Sequence, residues 1–198
     1  MYIDSQHSDK YENELSYWQK RYFIEANKLW NNWYKADMLG LANETNQDFI
    51  IDKVVADFGC GPRGSLCWAT KAKERIGIDV LTDEYENLRS KPHNMRYVKS
   101  SEKEIPLPKA SIDIIYTINS LDHVFDLPTM CKEITRVLRR GGLLLGSFNL
   151  NEPITPCEPQ TLNFETLREH LLGDYFVQTR KIEKKEKKDL LKVRAIKS

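Results

Sequence analysis

Val54-Val55-Ala56-Asp57-Phe58-Gly59-Cys60-Gly61-Pro62-Arg63-Gly64 is the stretch that decides the fold. An apolar, β-branched run over residues 50–56 has the length and composition of a strand, and three glycines follow it at G-x-G-x-x-G spacing. Glycines after a strand let a ligand approach the backbone closely, and a helix predicted over residues 65–73 would point its first N–H groups at that ligand. This spacing alone fits a dinucleotide site, a nucleoside site or a tight turn without a ligand.

Two acidic residues narrow this choice. Asp57 lies two residues before the first glycine, and Asp79 closes the next apolar run, which begins at Arg75. The second acid is about 20 residues further on, where the ribose-binding acid of a βαβ nucleotide site is found. A carboxylate at Asp79 can accept hydrogen bonds from both ribose hydroxyls, so the pair of motifs predicts a nucleotide or nucleoside ligand.

The segment Asp57-Phe58-Gly59-Cys60-Gly61 resembles the D-x-G-x-G signature of class I S-adenosylmethionine-dependent methyltransferases of the type 11 group. An acid beside the glycines suits a cofactor that carries an ammonium and a sulfonium, whereas the pyrophosphate of a dinucleotide is negative. The resemblance covers about residues 50–198 of the chain.

Three stretches further along the chain match the same family. Residues 100–108 resemble G-D-A-E-x-L-P-F-P, although Ser101 stands where an acid is usual. Residues 119–124 resemble a strand end in L-[EH]-H, and residues 136–142 resemble the turn R-x-L-x-P-G-G with Arg140 in place of proline. The missing acid leaves open whether a hydroxyl, the backbone or the side chain of Glu102 contacts adenine.

The resemblance implies an α/β fold: a Rossmann-like doubly wound sheet, mostly parallel with an antiparallel C-terminal hairpin, plus an N-terminal helical segment. Apolar and periodic runs predict strands at 50–56, 75–79, 95–99, 111–118 and 143–148, and helices at 81–88, 127–138 and 164–172, the last capped by Asn163. The alternating runs 175–182 and 190–196 predict a hairpin, with a charged turn at 183–189, where a dinucleotide-dependent oxidoreductase would have a crossover helix. The expected domains are a helical cap or lid over 1–45 and a class I methyltransferase domain over 46–198.

The N-terminal segment is helical and aromatic over about residues 9–39, after a frayed stretch at 1–10. Tyr11, Leu15, Trp18 and Tyr22 recur at 3–4 spacing, which predicts that one helix face packs on the core. Two interpretations stay open, an amphipathic helix that covers the sheet and a lid over cofactor and acceptor. In the second, Tyr11 and Trp18 are candidate acceptor-binding residues.

The resemblance implies S-adenosylmethionine as the cofactor. The glycines would lie along its methionine part, Asp57 near the ammonium, Asp79 at the ribose, Ser101 and Glu102 beside adenine, and Asn119 beneath the sulfonium. The complete candidate cofactor set is Asp57, Gly59, Cys60, Gly61, Asp79, Ser101, Glu102 and Asn119.

The sequence has fewer signals for the residues that bind and activate the methyl acceptor. His123 is the candidate general base for a hydroxyl, with Asp122 to orient it, since an imidazole near neutral pKa suits that task; the alternative is a structural histidine at a strand end. Asn149 and Asn151 lie in a polar loop expected to overhang the site, and they favour a hydroxylated small molecule such as a sugar. No metal is expected, because Asp122 and Asp126 alone do not form a cluster.

Composition limits the partners. A formal charge of +1 over 198 residues gives no bulk field for nucleic acid, and no apolar stretch is long enough for a membrane span or a signal core. The four cysteines fit no zinc motif and are expected as free thiols in the cytoplasm. A non-catalytic cofactor-binding partner subunit and an RNA methyltransferase remain alternatives, and the sequence makes no prediction of oligomeric state.

Overall fold

A computed structural model describes residues 5–89, 92–184 and 189–198. It forms a mixed sheet with helices on both faces. The strands are β1 (Val54–Phe58), β2 (Glu74–Asp79), β3 (Arg96–Lys99), β4 (Ile112–Ile118), β5 (Leu138–Leu150), β6 (Tyr175–Lys184) and β7 (Asp189–Lys197). The helices are α1 (Ser5–Ile24), α2 (Tyr34–Ala42), α3 (Leu127–Val137) and α4 (Phe164–His170).

The strand order across the sheet is β3-β2-β1-β4-β5-β7-β6. The first five strands in this order are parallel, and β7 runs antiparallel to both of its neighbours. The chain order reverses between β1 and β4, and an open α/β sheet forms its ligand crevice at the carboxyl ends of the strands beside such a point. The predicted sheet and hairpin are confirmed; residues 185–188 of the charged turn lie outside the described residues.

The central strands are buried on both faces, as their near-continuous apolar runs predict. On one face, α3 and α4 pack with Ala56, Ile115 and Leu144. On the other face, α2 packs with side chains that include Val55 and Ile114. Asn163 caps α4 as expected, since its side chain accepts a hydrogen bond from the Thr166 N–H at 2.9 Å.

The helix predicted over residues 65–73 is wrong, because this segment is a series of turns. The Cys67 and Ala69 N–H groups donate to carbonyls three residues earlier, and the side chain of Gln47 accepts from the Lys71 N–H at 3.2 Å. Turns and tertiary contacts therefore replace helical hydrogen bonds, and this segment does not offer a helix N-terminus to the glycine loop. The helix predicted over 81–88 is likewise turns with one short 3-10 helix at Glu86–Leu88.

The N-terminal segment departs from expectation in two ways. Helix α1 already begins at Ser5, so the frayed stretch at 1–10 is wrong where the structure describes it, and a break at residues 25–33 separates α1 from α2. Ala26 and Asn27 cause the break with left-handed φ values of 54° and 59°. The predicted face is confirmed: its aromatic side chains pack with Leu81, Tyr85 and Leu88.

Two sequence boundaries also shift. Strand β1 starts at Val54 because Ile50 lies in a short 3-10 turn. Strand β5 starts at Leu138, so the predicted turn at 139–142 is part of the strand and coincides with a register shift against β4. Among the described residues, no helix combines the length and apolarity needed to cross a bilayer.

Candidate functional site

A cavity of about 570 Å³ lies where β1, β2 and β4 end, and α1 covers it. Most of the residues expected from the sequence line the wall of this cavity: Tyr11, Trp18, Gly59, Cys60, Gly61, Asp79, Ser101, Glu102, Asn119 and His123. Four expected residues do not contribute to this wall: Asp57, Asp122, Asn149 and Asn151. The structure thus brings together the cofactor set except Asp57, and part of the acceptor set, at the predicted sheet edge.

The glycine loop needs glycine for both conformation and space. Gly59 has φ +72°, and a Cβ there would lie 2.2 Å from the Cβ of Ser120 at the end of β4. Gly61 has φ +55°, and a Cβ there would lie 3.1 Å from the indole of Trp18 on α1. Glycine tolerates such φ values without the steric cost that other residues bear. The loop is therefore packed between a strand end and the covering helix.

Asp79 fixes the backbone on both sides of the crevice. Its Oδ2 accepts from the Gly61 N–H at 2.9 Å and its Oδ1 accepts from the Leu81 N–H at 3.0 Å. Burial raises the pKa of Asp79 and these two donors oppose that shift. Each carboxylate oxygen can accept a second hydrogen bond, so the group can hold the loop and a ligand hydroxyl together.

Asp57 lies behind the loop rather than in the cavity wall. Its Oδ2 accepts a short hydrogen bond from the Ser65 hydroxyl, and among the described residues its buried Oδ1 has no hydrogen-bond partner. Burial raises the pKa of Asp57 to about 7. A buried oxygen without a partner is costly, so Oδ1 is able to accept a hydrogen bond from a bound ligand or water.

Glu102 joins α1 to the rest of the cavity. One of its oxygens accepts from Lys10 Nζ at 3.1 Å and from the Tyr11 hydroxyl at 2.5 Å, and the other accepts from the Phe125 N–H at 3.2 Å. The hydroxyl of Ser101 instead accepts from the Glu104 N–H at 3.0 Å within its own turn. Of the two candidates beside adenine, only Glu102 thus extends a side chain across the cavity.

Asn119 and Asn149 form one unit at the end of β4. Asn119 adopts φ +49°, and its side-chain oxygen accepts a short hydrogen bond from the Asn149 amide. Asn149 is buried behind Asn119, so it positions that side chain and does not reach the cavity. Asn151 is exposed and also lies outside the cavity wall, which does not fit the acceptor contact expected from the loop.

His123 is bound by a residue that sequence patterns do not identify. Its Nδ1 lies 3.2 Å from Glu14 Oε2 of α1, and its Nε2 lies 3.8 Å from Glu158 Oε1. Burial lowers the pKa of His123, but the hydrogen bond and charge of Glu14 outweigh it, so the net shift is upward. The expectation that Asp122 orients the ring is therefore corrected: Glu14 does so. Glu14 lies one turn from Trp18 on α1, and its place beside the aromatic face was the available signal.

Asp122 is buried beside this histidine. Its Oδ1 has no hydrogen-bond partner in the described part of the chain, and burial raises the pKa of this carboxyl. A carboxylate oxygen of Asp122, a ring nitrogen of His123 and a carboxylate oxygen of Glu158 lie within 4.8 Å of one another. Asp126 does not belong to this group, because it caps α3 by accepting from the Thr129 N–H at 3.0 Å.

Arg63 connects the glycine loop to the end of α1, and sequence reasoning had no signal for this role beyond the place of Arg63 in the loop. Its guanidinium donates to both oxygens of Glu25, at 2.8 and 2.6 Å, and to the Trp30 carbonyl at 2.8 Å. The Arg63 hydrogen bonds lower the pKa of Glu25 to about 2 despite opposing desolvation. The guanidinium also lies 5.3 Å from the ring of Trp18. The covering helix is thereby tied to the ligand loop.

Comparison with known proteins is consistent with this geometry. The family described as "Methyltransferase domain" matches residues 56–146. The chain is 29% identical over 132 residues to a probable S-adenosylmethionine-dependent methyltransferase of Mycobacterium tuberculosis, a match that covers 62% of this chain and 48% of that protein. It is also 29% identical over 92 residues to a malonyl-[acyl-carrier protein] O-methyltransferase of Serratia marcescens, covering 46% of this chain and 36% of that protein.

Among solved structures, the YcgJ protein of Bacillus subtilis has a TM-score of 0.65 at 15% identity, over 84% of this chain and 98% of that one. This likeness establishes the fold. The chain spans about half the length of the first curated relative that it matches.

Proposed function

We propose that this chain, which belongs to the class I S-adenosylmethionine-dependent methyltransferases, transfers a methyl group to a hydroxyl of a small-molecule acceptor. The observation that carries the proposal is a single cavity in which the glycine loop and Asp79 lie on one side and His123 on the other. Its volume of about 570 Å³ is that of an ordinary ligand pocket.

The residues present fit S-adenosylmethionine. The glycine loop offers a backbone surface without side chains, and the free lone pairs of Asp79 suit ribose hydroxyls. The unpartnered oxygen of Asp57 and the carboxylate of Glu102 suit a cofactor that carries positive charge. When bound, this cofactor supplies a methyl group on a sulfonium, already activated for displacement.

The remaining work is positioning and proton transfer. Holding two reacting groups in line supplies several kcal/mol of a displacement barrier, up to ~7–11 kcal/mol in ideal cases. Helix α1 covers the cavity and excludes water, and Asn119, positioned by Asn149, orients groups at the strand end. His123 keeps its Nδ1 on Glu14, so Nε2 is the atom that accepts the hydroxyl proton.

An oxygen acceptor is favoured by the imidazole, since a proton must leave a hydroxyl at neutral pH. The Serratia relative is named as an O-methyltransferase, which agrees with this choice of atom. In the described residues none of the four cysteines forms a disulfide, which fits the cytoplasmic location that we propose.

The cofactor is tested by calorimetric titration of the full chain with S-adenosylmethionine, S-adenosylhomocysteine and NADH. We expect binding of the two sulfur nucleosides only, weakened about 10- to 100-fold in Asp79→Ala and less in Asp79→Asn, which keeps one acceptor oxygen. Asp83→Ala, at an exposed acid that shares Lys99 with Glu84, is the matched control and should bind as wild type. Absence of binding to either nucleoside overturns the proposal, and NADH binding favours an oxidoreductase.

Turnover is tested with radiolabelled S-adenosylmethionine and a panel of sugars and small phenols. His123→Asn should lower kcat by ~10²–10⁴-fold while the affinity for S-adenosylhomocysteine stays unchanged. Label incorporated into RNA, or cofactor binding without any transfer, would replace the small-molecule proposal with an RNA methyltransferase or a non-catalytic partner subunit.

A further inference from the structure

Three potential metal ligands meet at the edge of the cavity. Asp122 and His123 follow β4, and Glu158 comes from the loop between β5 and α4, 35 residues further along the chain. One ligand atom from each lies within 4.8 Å of the other two. His123 and Glu158 also contribute to the cavity wall. The cluster is therefore built from two separate segments and faces the same space as the proposed cofactor.

A second observation points to a missing ligand. Asp122 is 4% exposed, and its Oδ1 has no hydrogen-bond partner among the residues that the structure describes. A carboxylate oxygen removed from water without a donor is strongly unfavourable. The nearby acids Glu158 and Glu152 raise the pKa of this carboxyl further, and His123 opposes them. A bound cation would compensate the negative charge of these acids.

Neighbouring side chains fix the orientation of the other two ligands, His123 and Glu158. His123 Nδ1 lies against Glu14, and Glu158 Oε2 accepts from the Thr155 hydroxyl at 3.0 Å. These contacts leave His123 Nε2 and Glu158 Oε1 facing each other, 3.8 Å apart. Metal-binding histidines commonly place their second nitrogen on a carboxylate, which fixes the ring and its tautomer.

We propose that Asp122, His123 and Glu158 bind a divalent transition-metal ion, with Nε2 as the histidine donor. One imidazole and two carboxylates suit ions such as Mn²⁺ or Zn²⁺. Two ligands at about 2.1 Å from one tetrahedral ion lie roughly 3.4 Å apart, so the 3.8 Å gap needs only a small closure. Three protein ligands leave coordination positions open toward the cavity.

The role of this ion in catalysis rests on the proposed function, and it changes one step of that function. Nε2 has one lone pair, so His123 cannot hold the ion and accept the hydroxyl proton at once. With the ion bound, the acceptor hydroxyl occupies an open position, its pKa falls, and its proton leaves to water. Acceptors with two neighbouring oxygens would then be preferred, since both can reach one ion.

The test is binding of Mn²⁺ to the full chain after treatment with a chelator, followed by calorimetry and by electron paramagnetic resonance. Mn²⁺ is the probe because it prefers oxygen and nitrogen ligands to the sulfur of the four cysteines. We expect saturable one-to-one binding, reduced at least about 10-fold in Asp122→Asn and in Glu158→Gln, and also reduced in Glu14→Gln. Asp126→Asn is the matched control and should bind as wild type, because asparagine still caps α3.

Two results overturn the proposal: no saturable binding of Mn²⁺, or equal binding in Glu158→Gln and Asp126→Asn. Thermal unfolding of each variant in chelator identifies any loss of fold. Because Glu158 is only half-buried, Glu158→Gln should unfold at the same temperature as wild type. Titration of the metal-free protein with S-adenosylhomocysteine is independent of this site. The metal site and the methyltransferase proposal can therefore fail separately.

Discussion

The cavity has two walls that are built in different ways. The strand-end wall consists of Gly59, Gly61, Asp79 and Asn119, and the parallel register of β1, β2 and β4 places it. The α1 wall consists of Tyr11, Glu14 and Trp18, and side-chain contacts with distant segments place it: Tyr11 with Glu102 and Glu14 with His123.

This difference indicates that the strand-end wall supplies rigidity and the α1 wall supplies specificity. Backbone hydrogen bonds and buried strands fix the strand-end wall, so a single added atom there has no space. The α1 wall packs on a smaller apolar cluster and depends on ion pairs and hydrogen bonds. Substitutions in the strand-end wall should therefore abolish binding, whereas substitutions in the α1 wall should modulate it.

The largest effect is expected from Gly59→Ala. The left-handed φ of +72° costs about 1–3 kcal/mol for alanine, and the overlap with Ser120 adds about 1–3 kcal/mol. We expect loss of measurable S-adenosylhomocysteine binding and a free energy of unfolding lowered by about 4 kcal/mol, measured by urea denaturation. Gly141→Ala is the control, because Gly141 has φ +70° but no atom within 4 Å of the added Cβ. Equal losses in both variants would show that space at the strand end is unimportant.

The strand-end wall could be predicted because its signals are local. The run before Asp57, the glycine spacing and the acid at Asp79 each lie within one segment, and the crevice position follows from strand order. The predicted helix after Gly64 failed because turns held by Gln47 replaced it. That contact joins residues 24 positions apart, which no local pattern reports.

A second large effect is expected from Arg63→Met, which separates the loop from α1. Removing one partner of a buried ion pair lowers the free energy of unfolding by about 3–5 kcal/mol. We expect about 3 kcal/mol here, because Arg21 still donates to Glu25. The lowered pKa of Glu25 means that the pair stabilises the protein above pH about 4.5 and is lost as pH falls toward 2. Urea denaturation at pH 7 and pH 3 should show a stability difference that shrinks in the variant.

The control for this prediction is Arg96→Met. Its partner Glu74 lies at 2.6 Å, but both side chains are exposed, so the loss should stay below about 1 kcal/mol. Similar losses in the two variants would contradict the view that the joint between loop and helix is a buried one.

A smaller effect is expected from Glu102→Ala, which loosens the α1 wall and also removes the acceptor of the Phe125 N–H. The substitution removes the acceptor of Lys10 and Tyr11, at a cost of about 2 kcal/mol. Hydrogen exchange measured by mass spectrometry should increase in α1 and stay unchanged in β1. Glu104→Ala, at an exposed acid two residues along, should change neither. Faster exchange in β1 would mean that the two walls are not separate units.

The α1 wall was only partly predictable. Spacing identified the face with Tyr11 and Trp18, since helical periodicity is local. Glu14 contacts His123, 109 residues further along the chain, and Glu102 accepts from Lys10 and Tyr11 of α1, 92 and 91 residues before it. Glu158 sits in a loop without a motif, so its place beside His123 follows only from the fold.

The smallest effect is expected at His123 itself, where the two walls meet. Burial lowers the pKa of this ring, but Glu14 raises it by a hydrogen bond and by charge, followed by Asp122 and Glu158. In Glu14→Gln the side-chain oxygen still accepts from Nδ1, so the ring keeps its orientation and loses only the charge. The pKa of His123 should therefore fall in Glu14→Gln, and fall less in Glu158→Gln. NMR titration of the histidine ring carbons in chelator measures both shifts, with His123→Asn to assign the signal.

The pH dependence of methyl transfer then separates orientation from charge. A general base must be neutral, so in the metal-free protein the rate should fall as pH drops through the raised pKa of His123. Glu14→Gln should move this acid limb to lower pH while the plateau rate changes little, because the ring stays in place. An unmoved limb together with a shifted NMR titration would mean that His123 takes no part in proton transfer, and the α1 wall would then act on the acceptor through packing alone.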